Sequence, residues 1–271
     1  MLKNRKEHPL TDGSRRRRFR PRFPEHLKKK NFSLASILPN ITTLLALCSG
    51  MTAIRMGLLQ KWDLAVIAVL FAGFLDAMDG RLARFLGSSS RFGAELDSFS
   101  DFISFGVSPA VVLYLSGMNQ WGEFGWGFCL FFAVCMALRL ARFNTISIEG
   151  NAPSWAQGFF VGVPAPAAAF LGLMPIILQQ CCHWPIFKAP GFYAGVMLVT
   201  GSLMISRVPT YSLKKITIPH KFVVPLILLV VITAICLYSH LWLTLAVIGG
   251  SYLLLIPFSI RSYRQLSRQN S

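Results

Sequence analysis

Eight apolar stretches, separated by short polar or charged breaks, follow one another at roughly 37–59, 62–82, 97–118, 124–143, 157–179, 190–207, 221–239 and 241–260. Each is close to the ~20 residues an α-helix needs to cross the ~30 Å hydrocarbon core of a bilayer. The pattern predicts an all-α polytopic membrane protein with about eight transmembrane helices. The second stretch differs from the rest: its purely apolar run stops at Leu75, and the helix is expected to continue through Asp76, Asp79 and Arg84. In the fifth, Pro164 and Pro166 predict a kink, with Gly162 and the neighbouring alanines allowing close helix packing.

Composition agrees with this pattern. A chain with 54% hydrophobic and 14% charged residues is not that of an ordinary soluble domain. The formal charge of +16 is concentrated at one end, where residues 1–30 hold twelve Lys and Arg against Glu7, Asp12 and Glu25. Interrupted by Pro9, Pro21 and Pro24, these thirty residues have too little apolar surface to fold alone and are expected to form a disordered basic tail. Basic segments alternate with apolar runs instead of lining one folded face, so anionic lipid headgroups explain the charge better than nucleic acid. With the tail in the cytosol, 24 of the 27 Lys and Arg residues fall on the cytosolic side and only Arg55, Lys61 and Lys188 near the other. An even number of spans then returns residues 261–271 to the cytosol. The six cysteines show no metal-ligand spacing.

Acid appears where a membrane protein tolerates it least. Of the eleven Asp and Glu residues, Asp76, Asp79, Glu95, Asp97 and Asp101 fall between the apolar runs 64–75 and 102–115. Carboxylates at such positions are expensive and usually functional. Asp76 and Asp79 are three residues apart, Asp97 and Asp101 four, so on helices each pair presents two carboxylates from one face. Four converging carboxylates call for a cation between them, and oxygen ligands without Cys or His favour Mg²⁺, Mn²⁺ or Ca²⁺ over zinc. Asp76 follows Trp62 by about 14 residues, or ~21 Å of helix, which puts it at the depth of a phospholipid's glycerol and phosphate on the cytosolic side.

In full the stretch reads Asp76-x2-Asp79-Gly80-x2-Ala83-Arg84-x8-Gly93-x3-Asp97-x3-Asp101. It resembles, without a departure, the signature of the CDP-alcohol phosphatidyltransferases, membrane enzymes that move a phosphatidyl group from a CDP-lipid to an alcohol. The resemblance implies a six-helix catalytic core at 31–207, two additional helices at 208–260, and a homodimer in a bacterial inner membrane. It also implies two divalent cations, Mn²⁺ or Mg²⁺, held by Asp76, Asp79, Asp97 and Asp101, with Asp101 also the general base. By the same resemblance Gly80 and Ala83 leave room for the CDP-lipid, Arg84 pairs with a phosphate and Ser90 contacts the CDP moiety. Asn40 and Thr43 resemble a family segment that reaches the donor, and read equally well as a plain helix start in which Thr43 bonds its own backbone.

Downstream, 101–110, Arg139-Leu-Ala-Arg142-Phe-Asn144 and Gly162-Val-Pro164-Ala-Pro166-Ala-Ala resemble the bacterial and archaeal phosphatidylserine synthase branch of that family. This implies CDP-diacylglycerol as donor and L-serine as acceptor. Serine's carboxylate wants a cation near the metal, and Arg139 and Arg142 are the candidates. Either also serves as a positive-inside anchor. The rival acceptors are glycerol phosphate, inositol phosphate and choline: a phosphorylated one calls for a larger basic cluster, choline for an aromatic cage. A divalent-cation transporter could use the same aspartates, but has no need of Gly80, Ala83 and Arg84 at fixed offsets.

Overall fold

The computed structural model describes residues 34–87, 90–149, 159–182, 184–206, 209–211 and 222–270. The expected basic tail at 1–30 lies outside the described residues, as do Ser88 and Ser89. The first helices are α1 (Leu34–Leu58) and α2 (Trp62–Phe85), followed by α3 (Arg91–Asp101), a π-helical segment (Phe102–Val107) and α4 (Ser108–Ser116). Next come α5 (Glu123–Glu149), β1 (Phe159–Val161), α6 (Ala165–Gly172), α7 (Met174–Cys182) and α8 (Pro190–Ile205). The last elements are β2 (Pro209–Tyr211), α9 (Val223–Ser239) and α10 (Leu241–Asn270), whose backbone stays helical almost to the end of the chain.

Among the described residues the fold is all-α apart from one three-residue antiparallel pairing, Phe159 with Tyr211 and Val161 with Pro209. Four spans among the described residues are long and apolar enough to cross a bilayer: 37–58, 91–116, 123–145 and 241–259. The α6–α7 pair adds a fifth if taken as one span bent by 43°. By length and composition the described residues thus give four or five spans, and the expected count of eight is not confirmed. α2 carries too many charges to qualify, while α8 and α9 are short apolar helices. The bend falls at Leu173 and not at the expected prolines: Pro164 caps α6 and Pro166 lies in its first turn, where no N–H is missed. Pro175 has no N–H to continue the α6 ladder past Leu173, and the axis changes direction there.

Large apolar side chains point outward, as lipid-facing helices require: Phe74 is 57% and Val224 74% exposed. The interior combines small residues such as Ala53, Ala65 and Val69 with larger ones such as Phe105, Phe132 and Met197. Without a hydrophobic drive between helices in lipid, small residues and interhelical hydrogen bonds hold such a bundle together. α1 ends with Gln60 in the left-handed region (φ 57°), its N–H on Gly57 O and that of Lys61 on Met56 O, and the chain turns back into α2.

Three serines of the α3–α4 span, one of them in the π-helical segment, form a ladder against α1. Ser100, Ser104 and Ser108, spaced by four, donate to the carbonyls of Thr43 (3.0 Å), Ala46 (3.1 Å) and Gly50 (2.7 Å). Both series ascend together, so the α3–α4 span runs parallel to α1. Along α2 the order is reversed, Thr43 meeting Asp79 and Ser49 meeting Ala68, so α2 runs antiparallel to both. The π-helical segment sits between the first and last rungs. Pro109 has no N–H to offer the Phe105 carbonyl, and the wider turn ahead of it lets Ser108 N–H reach Ile103 O.

Candidate active site

The ladder decides where the aspartates go. Ser100 is buried and tied to α1, so its neighbours Asp97 and Asp101 at the end of α3 are held close to the N-terminal part of α1. α2, antiparallel, brings Asp76 and Asp79 to the same level. Asp76, Asp97 and Asp101 each offer a carboxylate oxygen, and the three oxygens lie within 4.8 Å of one another. At an effective dielectric of about 20, two unit charges so placed repel by roughly 3 kcal/mol. A donor set of three converging carboxylate oxygens fits a hard divalent cation, which would turn that repulsion into attraction.

Asp79, the fourth expected partner, is not in this group. Its Oδ2 lies 2.7 Å from the Thr43 hydroxyl, which also has the Pro39 carbonyl at 3.0 Å. The carboxylate is the better acceptor for that single proton. Thr43 thus has its hydroxyl within hydrogen-bond distance of its own helix and of an aspartate. Its backbone carbonyl holds Ser100, which makes it the point where α1 joins α2 to α3.

Beside the carboxylates opens a cleft of about 250 Å³. Asn40, Thr43, Gly80, Ala83, Arg84 and Ser90, the residues expected around the donor, all line it, together with Asp79 and Asp97. Arg84 Nε donates to the Gly80 carbonyl one turn back (3.0 Å), and Ser90 caps α3 by accepting from Gly93 N–H (3.0 Å). The two glycines of the cleft differ in kind. A Cβ on Gly93 would stand 3.0 Å from Asn40 Oδ1, so its smallness serves packing within the protein. At Gly80 a Cβ would meet no atom within 4 Å. A glycine inside a helix costs up to about 1 kcal/mol against alanine, and nothing in the chain itself requires this one.

The two arginines of α5 are differently engaged. Arg142 donates from Nη1 to Ile205 O (2.8 Å) and from Nη2 to Met204 O (3.3 Å) and Ser206 O (3.2 Å), closing the C-terminal end of α8. Gly162, at φ +82°, passes so close that a Cβ would be 2.8 Å from Met204 O. Arg139 donates from Nε to Val163 O (2.8 Å), and its Nη1 is buried without a hydrogen-bond partner. Asn144, one turn on, donates to Ser98 Oγ (2.9 Å) and ties α5 to α3.

The segment containing Ser104 and Ser108, which carries a family resemblance, thus also has a structural use as rungs of the ladder. The four-residue serine spacing was the available signal.

Comparison with known proteins adds to this geometry. Residues 36–208 match the family model described as CDP-alcohol phosphatidyltransferase, and residues 221–257 match that described as CDP-alcohol phosphatidyltransferase 2. A CDP-diacylglycerol--serine O-phosphatidyltransferase of Mycobacterium tuberculosis is 37% identical over 234 residues, covering 86% of this chain and 81% of the relative. Proteins of the same description from Helicobacter pylori and Bacillus subtilis are each 31% identical, over 80% and 66% of this chain and 88% and 92% of their own lengths.

Proposed function

Because the chain belongs to the CDP-alcohol phosphatidyltransferase family, we propose that it transfers the phosphatidyl group of CDP-diacylglycerol to L-serine and releases CMP. The observation that carries the acceptor is the description shared by the relatives in mycobacteria, Helicobacter and Bacillus. The core at 31–207 does the chemistry, and two further helices follow it at 208–260. Asp76, Asp79, Asp97 and Asp101 would hold two divalent cations, Mn²⁺ or Mg²⁺, which when bound neutralise the diphosphate and stabilise the leaving nucleotide.

The remaining work falls to the chain's own residues. Asn40, Thr43 and Ser90 hold the CDP moiety, Arg84 pairs with a phosphate, and Gly80 and Ala83 leave the space it needs. Asp101 takes the proton of the serine hydroxyl as the serine oxygen bonds to the phosphorus that carries the diacylglycerol. The bond from that phosphorus to the bridging oxygen breaks in line, and its electron pair leaves with CMP. Arg139 and Arg142 stand on the acceptor side. The site and both termini face the cytosol in a bacterial inner membrane, and the enzyme works as a homodimer.

The test is CMP release by the purified protein with CDP-diacylglycerol, Mn²⁺ or Mg²⁺, and a panel of alcohols. Release with serine is expected, with loss on chelation; release with glycerol 3-phosphate and none with serine would move the protein to another branch. Sealed vesicles release CMP only when their cytosolic face is outward.

Gly80→Ala provides a sharper check on the donor cleft. The added methyl removes the cost of a helical glycine, so the thermal midpoint rises by the equivalent of up to about 1 kcal/mol. Yet it occupies space the donor needs, and KM for CDP-diacylglycerol rises about tenfold, the scale of one methyl misplaced in a fitted pocket. Unchanged kinetics with the raised midpoint would mean that the donor lies elsewhere.

A further inference from the structure

Asp79 stands outside the group in which Asp76, Asp97 and Asp101 bring carboxylate oxygens within 4.8 Å of one another. It lines the donor cleft with Asp97 and Thr43. Asp79 and Thr43 are both buried, and the Thr43 hydroxyl is 2.7 Å from Asp79 Oδ2. The Pro39 carbonyl, 3.0 Å away in the same helix, would by itself satisfy that hydroxyl. A plain helix start therefore has no need of the contact to Asp79, 36 residues further along the chain. A buried carboxylate is costly without a donor. A lysine or arginine would supply one and also neutralise the charge, whereas a hydroxyl fixes the carboxylate and leaves its charge for a cation. Thr43 is bonded a second time through its backbone carbonyl, which accepts from the buried Ser100 between Asp97 and Asp101. One residue of α1 thus meets an expected ligand on α2 through its side chain, and the stretch of α3 that carries two more through its backbone. Only the first link depends on the side chain, so the two can be separated by substitution.

We infer that Thr43 is a positioning residue for the divalent cation: its hydroxyl holds Asp79 beside the other three carboxylates, so that the fourth ligand is in place before a cation binds. The inference rests on the reading of Asp76, Asp79, Asp97 and Asp101 as cation ligands and deepens it. In this role Thr43 touches neither the cation nor the reacting atoms and acts through Asp79 alone. Its loss weakens the hold on the cation and leaves the chemistry of the loaded site in place.

The experiment titrates Mn²⁺ into the purified full-length protein without CDP-diacylglycerol and reads unbound Mn²⁺ by its paramagnetic resonance signal. It compares wild type with Thr43→Val, Thr43→Ser, Asp79→Asn and the Thr43→Val, Asp79→Asn double variant. Thr43→Val keeps the shape of the side chain without its hydroxyl and is expected to weaken Mn²⁺ binding about tenfold, the lower end for losing the hydrogen-bond partner of a metal ligand. Thr43→Ser keeps the hydroxyl and binds Mn²⁺ as wild type does. Once Asp79 is Asn, Thr43→Val has no further effect, since two changes along one line of action do not add. In the CMP-release assay the Mn²⁺ dependence of Thr43→Val shifts to higher concentration by the same factor, and excess Mn²⁺ recovers most of the plateau. A partly misfolded preparation lowers the plateau and leaves the midpoint in place. Wild-type protein that binds no Mn²⁺ would remove the cation reading, and this inference with it. Wild-type protein that binds Mn²⁺, with Thr43→Val binding it equally well, would overturn the inference alone; a raised KM for CDP-diacylglycerol in that variant would then make Thr43 a donor contact only. Weakened Mn²⁺ binding by Thr43→Ser would overturn it as well, and that arm stands even where Thr43→Val does not fold.

Discussion

Asp101→Asn lowers CMP release by at least about a thousandfold while the protein remains folded. The two side chains have nearly the same shape, so the ladder bond from the adjacent Ser100 to Thr43 O and the π-helical segment that follows are undisturbed. Lost are the proposed proton acceptor, worth about 10²–10⁴ in rate for a positioned general base, and one anionic member of the carboxylate group. Removing a negative charge from a site where three converge also relieves repulsion in the metal-free protein. The thermal midpoint without added metal should therefore hold or rise, and the stabilisation gained on adding Mn²⁺ or Mg²⁺ should shrink. Turnover and thermal midpoints, with and without metal, decide it. Activity within tenfold of wild type would show that Asp101 is not the base.

Gly50→Ala has the largest expected effect on the fold, and the opposite sign from the same substitution at Gly80. A Cβ at Gly50 would stand 2.5 Å from Ser104 Oγ and 2.7 Å from Ser104 Cα. Backbone cannot step aside as a flexible side chain can, so α1 and the α3–α4 span must separate. Overpacking of this kind costs about 1–3 kcal/mol. Separation also weakens the three serine rungs, each worth about 0.6 kcal/mol in a membrane protein, and the helix-propensity gain of about 1 kcal/mol offsets only part of the loss. A net loss of about 3 kcal/mol is expected, together with most of the activity, since the rung at Ser100 sets the position of Asp101. A thermal midpoint equal to that of wild type would show that the ladder does not hold the site.

Much of this was legible in the chain itself. The aspartates stand out because a carboxylate among apolar residues needs a reason, and the offsets of three and four put each pair on one helical face whatever the surrounding fold. The α1 contribution was half legible: Thr43 read equally as a helix start or a donor contact, and its 2.7 Å approach to Asp79, which neither reading names, is visible only in the structure. The bend at Leu173 was misplaced because prolines are visible in sequence, whereas the helical turn in which each falls is not; Pro164 and Pro166 begin a helix and Pro175 interrupts one. The short β1–β2 pairing gave no signal, as three residues are too few for a period to register.

Membrane-borne helices, the acidic stretch and the family likeness were determined by the sequence, since hydropathy, spacing and motif are properties of neighbouring residues and survive any arrangement of the helices. Which glycine is filled by a neighbouring helix and which opens onto a cleft, which arginine is engaged by the end of α8 and which keeps a buried donor without a hydrogen-bond partner, were decided by the tertiary structure alone. Those differences arise where segments some 60 residues apart come within hydrogen-bond distance, as Ser104 does of Ala46 and Arg142 of Ile205. Such an approach depends on the packing of the whole bundle, and no local pattern encodes it.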